Sequence, residues 1–154
     1  MNLASQLRYD DRGFLPVVLQ DHTTLEILIV AFANADAVER TIATGLVHLW
    51  SRSRGELWLK GESSGRLQHV VEVRPNCEMS SLLILVRQEA PGACHTGHSS
   101  CYYRRLSPDG LEEISPPVFD PSSVYSSDGQ ALLAQLLELY NRLRGMPVVA
   151  ESST

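Results

Sequence analysis

Positive charge, uninterrupted apolar sequence and cysteine are all scarce in this chain of 154 residues. Thirteen Lys and Arg stand against 18 Asp and Glu, a formal net charge of -5 with an isoelectric point near 5.5. That balance argues against a nucleic-acid partner, whose surface needs a basic excess, and leaves room for a local anion site. The longest strongly apolar run, LEILIVAFANA (25–35), is broken by Glu26. It falls well short of the roughly 20 apolar residues that cross a bilayer, so no membrane partner is expected. The opening MNLASQLRYDDRG has no apolar centre of the kind a secretory signal needs. The expectation is a cytoplasmic protein whose thiols stay reduced. Its three cysteines, an odd number, weaken a disulfide reading further. What the chain does have is 44% hydrophobic residues, enough for one domain with its own core.

Patterning predicts a mainly β (α+β) fold. FLPVVLQ (14–20) and LEILIVAF (25–32) read as strands of a hairpin joined by DHTT. A short helix fits 35–44, capped by Asn34 or Asp36 and stopped by Gly45. LVHLWS (46–51) alternates, with Leu46, His48 and Trp50 on one side. ELWLK is a short strand and GESSG a polar turn. LQHVVEVR (67–74) and SLLILVRQ (81–88) are strands bracketing Cys77, APGACHTGHSS is a loop, and CYYRRL a final strand. Past residue 107 the composition changes. Residues 1–107 form the expected main domain, 108–127 a Pro/Ser-rich connector, and 128–154 a C-terminal helix and tail. For that helix Ser127 and Gln130 make a capping box and Gly145 the stop. Leu132, Leu136, Tyr140 and Leu143, with Leu133 and Leu137 beside them, make a stripe that fits a packing face against the sheet or a second subunit.

The cysteines bear most on function. A buried free cysteine is a common small hydrophobe, and that is the plain reading of Cys77 in RPNCEMSSLLILV. Cys94 and Cys101 differ, because GACHTGHSSCYYR (92–104) sets them in a glycine-containing loop with His95 and His98. Thiolate and imidazole donors suit zinc. The six-residue gap exceeds zinc-finger spacing, so spacing leaves a closed structural site and a catalytic one equally open. Three protein ligands with a free fourth position make zinc a catalyst by activating water. Three thiolates over-neutralise the ion, so a nearby imidazole, His95 or His98, would matter more as a base.

The blocks VHLWSRSRGELWLKGESSGRLQHVVEVR (47–74) and CHTGHSSCYYR (94–104) resemble the phosphoribosyl-AMP cyclohydrolase family of histidine biosynthesis. The resemblance, which covers roughly residues 13–104, implies a mostly antiparallel sheet or pseudo-barrel in an intertwined homodimer; the short helix after the second strand and the C-terminal helix come from the patterning. It implies zinc at the subunit interface, held by Cys77 of one chain and Cys94 and Cys101 of the other. The reaction it implies is hydrolytic opening of the purine ring of N1-phosphoribosyl-AMP, a nucleotide substrate. A zinc-activated water would attack ring carbon six and the bond to ring nitrogen one would break. His95 is the choice for acid/base work and His69 a second imidazole, a hydrogen-bonded strand histidine being its plainer reading. Arg52, Arg54 and Lys60 would supply positive charge. Glu62, Ser63, Ser64 and Gly65 of the GESSG turn would supply small residues and backbone N–H groups for phosphate. Trp50 or Trp58 would stack on the purine, unless they simply pack in the core.

The chain departs from the family at one place. Where the family has D-C-D-x-D, with aspartates implicated in magnesium binding, this chain has Asn76, Cys77, Glu78, Met79 and Ser80. Glu78 alone is a weak set of hard oxygen ligands, so magnesium is doubtful. A paralogous zinc hydrolase on another purine nucleotide, or a non-catalytic zinc-stabilised dimer, are the alternatives this raises. The tail LLAQLLELYNRLRGMPVVAESST is similar to the opening of the pyrophosphohydrolase domain of bifunctional relatives. It has no E-x-x-E cluster, so that second activity is not expected.

Overall fold

Strand β1 (Leu15–Asp21) places its apolar residues at every second position, and Leu15, Val17 and Leu19 are fully buried. Such alternation is what a pleated strand with one covered face requires. β2 (Ile27–Ala33) returns antiparallel, setting Val17 opposite Ala31 and Leu19 opposite Ile29. On the other side of β1 lies β6 (Leu82–Gln88), with Val17 beside Leu82 and Leu19 beside Ile84. Leu28, Ile84 and Val86 join this core, and each large side chain so buried stabilises the fold by about 1.5–3 kcal/mol. The computed structural model describes residues 2–125 and 127–143.

With β3 (His48–Ser51), β4 (Glu56–Leu59) and β5 (Gln68–Pro75), the sheet runs in the order β4-β3-β2-β1-β6-β5. The expected antiparallel arrangement holds throughout this sheet except between β1 and β6, which are parallel. The long segment between those two strands supplies the crossover that a parallel pair needs. The sheet curls until β5 meets the approach to β3. Leu46 bridges to His69, the Val47 amide donates to Gln68 O at 3.0 Å, and the Val70 amide donates to Gly45 O at 2.8 Å. These bonds make the expected pseudo-barrel and cover a sheet edge.

Helix α1 (Ala35–Thr44) has the expected bounds. Asn34 Oδ1 accepts from the Ala37 amide at 2.9 Å, and Gly45, at φ +69°, ends the helix in the left-handed conformation that favours glycine. Ala37, Val38 and Thr41 are buried, and Thr41 Oγ1 accepts the His48 amide at 2.9 Å, tying α1 to β3.

The region after residue 103 has more structure than its composition suggests. β7 (Arg104–Ser107) and β8 (Gly110–Glu113) form a hairpin, and α2 (Pro121–Val124) and α3 (Ser127–Leu143) follow. Leu137 and Tyr140 of α3 pack on Leu46, Leu59 and Leu67. Leu132, Leu136 and Leu143 of the expected stripe are exposed instead, because the helix meets the barrel through its neighbouring face. Gly145 and the side chains of Ser127, Gln130 and Leu133 lie outside the described residues. Among the described residues no helix is long and apolar enough to cross a membrane.

Candidate metal and substrate site

The loop after β6 is pinned where it ends. Cys101 donates its amide to Leu28 O of β2 at 2.8 Å, and Ser100 Oγ donates to Ile27 O at 2.6 Å. Ahead of them the Cys94 amide bonds to His98 O and the Gly97 amide to Cys94 O, making a tight turn. The downstream chain crosses over it, with Val118 N–H donating to Gly97 O at 2.7 Å. A Cβ on Gly92 would stand 2.6 Å from the Phe119 ring, so the approach admits only glycine there.

This architecture brings Cys94 and Cys101 together. Cys94 is buried and Cys101 half-buried, and the two thiols lie close enough to perturb each other. Burial first, and then the neighbouring Cys94, pushes the Cys101 thiol up to about 11. Beside the pair lies the half-buried Lys60, whose Nζ donates to Ala93 O at 2.5 Å. Burial lowers the Lys60 pKa, and the two cysteines act to raise it. At neutral pH the Cys101 thiol stays protonated. A divalent cation between the pair reverses the preference, because a coordinating thiol is deprotonated outright. The donor set therefore fits a soft or borderline ion such as zinc.

One chain does not complete a set of ligands. Among the described residues no three His, Cys, Asp or Glu side chains gather as a metal site, and Cys77 is exposed in the turn between β5 and β6. That turn is closed by its own side chains. Asn76 Oδ1 accepts the amides of Ser80 at 2.7 Å and Ser81 at 3.1 Å, and Asn76 Nδ2 donates to Ser80 Oγ at 3.2 Å. Met79 sits at φ +60°, a strained choice for a non-glycine residue that these bonds stabilise. Its carbonyl accepts the Arg8 amide at 2.7 Å.

The histidines separate clearly. His95, next to Cys94, is exposed. His98 is 6% exposed, stacked on Tyr103 with ring centroids 3.5 Å apart, and bonded through both ring nitrogens. His69 stands on the barrel seam with Nε2 bonded to Glu89.

The cationic and aromatic candidates fall into two groups. Register sets Leu49 opposite Trp58 and Trp50 opposite Leu57, so the two tryptophans occupy opposite faces of the sheet. Lys60 Nζ and the Arg54 guanidinium lie 5.6 and 5.9 Å from the Trp58 ring, on the side of the cysteine pair. Arg54 also pairs with Glu56 at 3.0 Å. Trp50 instead stacks on Phe14, and Arg52 lies 3.6 Å over Phe32. Phe14 and Phe32 wall a groove of about 540 Å³ that Arg8, Asp10, Glu78 and Ser80 also line.

Two amides of the GESSG turn bond within or beside it. The amides of Glu62 and Gly65 donate to Leu59 O and Gly61 O, and Ser64 Oγ accepts the Arg66 amide. Burial raises the Glu62 carboxyl's pKa, and the Leu59 amide donates to it at 3.4 Å. Sequence reasoning missed Thr96 and Glu113, which bond to His98, and the groove residues Arg8, Asp10, Phe14 and Phe32. Only Thr96, inside the cysteine motif, carried any signal.

A small acidic β-barrel that sets two neighbouring thiols and an exposed histidine on one braced loop, with a half-buried lysine beside it, has the layout of an enzyme. Residues 29–103 match the family model described as phosphoribosyl-AMP cyclohydrolase. The phosphoribosyl-AMP cyclohydrolase of Methanocella arvoryzae is 50% identical over 115 residues, covering 75% of this chain and 93% of that protein. That of Archaeoglobus fulgidus is 51% identical over 104 residues, 68% of this chain and 95% of that protein. The histidine biosynthesis bifunctional protein HisIE of Thermoanaerobacter pseudethanolicus is 41% identical over 138 residues, 90% of this chain. The chain spans 63% of that bifunctional protein's length. The chain belongs to the phosphoribosyl-AMP cyclohydrolase family, a family of hydrolases.

Proposed function

We propose that this protein hydrolytically opens the purine ring of N1-phosphoribosyl-AMP, in histidine biosynthesis, at a zinc site shared between two copies of the chain. The observation that carries this reading is the nearness of Cys94, Cys101 and Lys60, all inside the segment that matches the family. Cys94 and Cys101 of one copy would hold the zinc with Cys77 of the partner, whose exposure leaves it open to such a contact. When bound, zinc supplies a Lewis acid that makes water nucleophilic near neutral pH.

The remaining work falls to side chains. His95, exposed beside Cys94, delivers the proton that the departing ring nitrogen needs. Lys60 and Arg54 offset substrate charge next to the cysteines, and Trp58 gives the base an apolar wall. The groove of Phe14 and Phe32, beside Glu78 and Arg52, has the 300–1,000 Å³ scale of a small-molecule site. It lies on the Cys77 side, so a dimer would set it against the partner's cysteine loop. His69, held by Glu89, serves the barrel seam. A reducing cytoplasm suits the free thiols.

Magnesium has a minor part in this reading, since Asn76 and Ser80 are spent on the turn. The same departure favours a second reading, a zinc hydrolase acting on a different purine nucleotide. The deciding experiment incubates zinc-loaded protein with N1-phosphoribosyl-AMP, with and without magnesium, and follows the absorbance change of ring opening. Turnover that vanishes on chelation and returns with zinc is expected. Full turnover after zinc removal would overturn the zinc role. No turnover in any metal would overturn the substrate.

A further inference from the structure

Thr96 Oγ1 lies 3.0 Å from Cys94 Sγ and 2.9 Å from His98 Nδ1, and His98 Nε2 lies 3.0 Å from Glu113 Oε1. We propose that Thr96, His98 and Glu113 are positioning residues of the metal site, a hydrogen-bonded chain that reaches from β8 to the Cys94 sulfur and fixes its direction. The proposal rests on the zinc reading above.

Three features argue against an ordinary core histidine. Both ring nitrogens are committed to side chains, and one of those leads to the cysteine. The ring plane is clamped by Tyr103, at 11° to it. The far end of the chain is set by sheet geometry, because Glu113 stands opposite Arg104 in the β7–β8 register. An ionised carboxylate only accepts, so Nε2–H donates to Glu113 and the imidazole is held with Nδ1 aimed at the Thr96 hydroxyl. A metal-bound thiolate likewise only accepts, so in this chain Nδ1–H donates to Thr96 Oγ1 and the hydroxyl gives its one proton to the sulfur. A metal ligand supported this way loses little freedom on binding, and removing such outer partners typically costs 10–100-fold in metal affinity. Glu113 lies outside the residues that match the family model, so this support draws on the hairpin that follows the matched segment.

The test is zinc affinity of the full chain, measured by competition with a chromophoric chelator, alongside the thiolate-to-metal charge-transfer band of the cobalt(II)-substituted protein. His98→Ala and Thr96→Val should each weaken zinc binding by roughly tenfold or more. Both should also shift the cobalt band. Thr96→Ser keeps the hydroxyl and should behave like the unaltered chain, a rescue that a merely space-filling role would not predict. Should His98→Ala fail to fold, the Thr96→Val and Thr96→Ser pair decides alone. Zinc bound equally by unaltered protein and Thr96→Val would overturn this proposal and leave the zinc reading standing. An unaltered chain that binds no zinc would overturn both.

Discussion

Two turns of this chain carry its cysteines, and they are built differently. The turn around Cys77 closes on itself: Asn76 and Ser80 supply the bonds, and the thiol stays exposed. The loop around Cys94 and Cys101 borrows its order from elsewhere, from β2 through Ser100 and Cys101, from β8 through Glu113, and from the segment at Val118 and Phe119. The braced loop presents two neighbouring donors, which lowers the cost of ordering a metal site. The self-closed turn presents one donor to whatever comes from outside. Such a division suits a symmetric dimer, in which each copy gives the same two surfaces and every contact occurs twice.

The strongest way to break that comparison is to disable each turn separately. Cys101→Ser should lose nearly all zinc and turnover, and Cys77→Ser should do the same despite its distance from the pair. Mixing the two inactive proteins after unfolding and refolding should then restore activity. Each mixed dimer keeps one intact site, so statistical mixing predicts about a quarter of the normal turnover. Metal analysis and the ring-opening assay check both results. If mixing restores nothing, the ligands come from one chain and the two-copy site is wrong.

A smaller effect separates ligand from proton donor inside the braced loop. His95→Ala should keep its zinc and lose roughly a hundredfold in turnover, the common worth of a general acid or base. Zinc leaving with the imidazole would make His95 a ligand. His98, three residues on, should instead change metal affinity. The contrast rests on exposure: the first ring is exposed, the second is 6% exposed and bonded at both nitrogens.

That contrast was not legible in the sequence, where both histidines stand in one motif. His98 is fixed by Glu113, 15 residues away, through a hairpin whose solvent-facing strands lack an apolar pattern. Pro108, Asp109 and Gly110 are turn formers, but the connector expected from residue 108 left no place for a hairpin. Local chemistry fared better. Gly45 marked one end of α1 and Asn34 or Asp36 the other, Asn34 being the cap, because caps act within a few residues. The strands of the barrel were legible from period-two burial, but the parallel β1–β6 pair was not, since alternation says nothing of a neighbour's direction. The same limit hid the opposed faces of Trp50 and Trp58, which depend on pairing across strands. The cysteines were legible as a pair and a single, Cys94 with Cys101 in one loop and Cys77 apart. Their burial and the exposure of Cys77 follow from topology.

The thiols should also differ chemically before any metal is added. In metal-free protein Cys77 is exposed and should be alkylated first. Cys101, with its pKa near 11, should stay protonated and resist iodoacetamide at neutral pH. Its rate should climb only as pH rises toward that value. The raised pKa also favours the folded state below the ordinary thiol value of 9.0, and that contribution should fade between pH 9.0 and about 11. Mass spectrometry of alkylated peptides reads the order. Cys101 reacting as fast as Cys77 at neutral pH would show that the pair is more open than described.

The smallest expected effect sharpens the comparison at the self-closed turn. Asn76→Asp keeps an oxygen that accepts from the Ser80 and Ser81 amides and loses only the bond from Nδ2 to Ser80 Oγ, so the turn should survive. Ser80→Asp removes that hydroxyl and adds a carboxylate on the wall of the groove, beside Glu78. With Glu78→Asp as well, the three carboxylates of the family pattern are restored. Magnesium demands several hard, anionic oxygens and gives up its water reluctantly. The unaltered turn offers one carboxylate, and its turnover should respond little to magnesium. The triple variant should bind magnesium more tightly by calorimetry and show turnover that rises with it. Melting temperatures in zinc should stay close to those of the unaltered chain, because the turn keeps its main accepting oxygen. Strong magnesium stimulation of the unaltered protein would instead mean that Glu78 acts together with oxygens from substrate or partner, and the groove would then have to be read as a complete metal site.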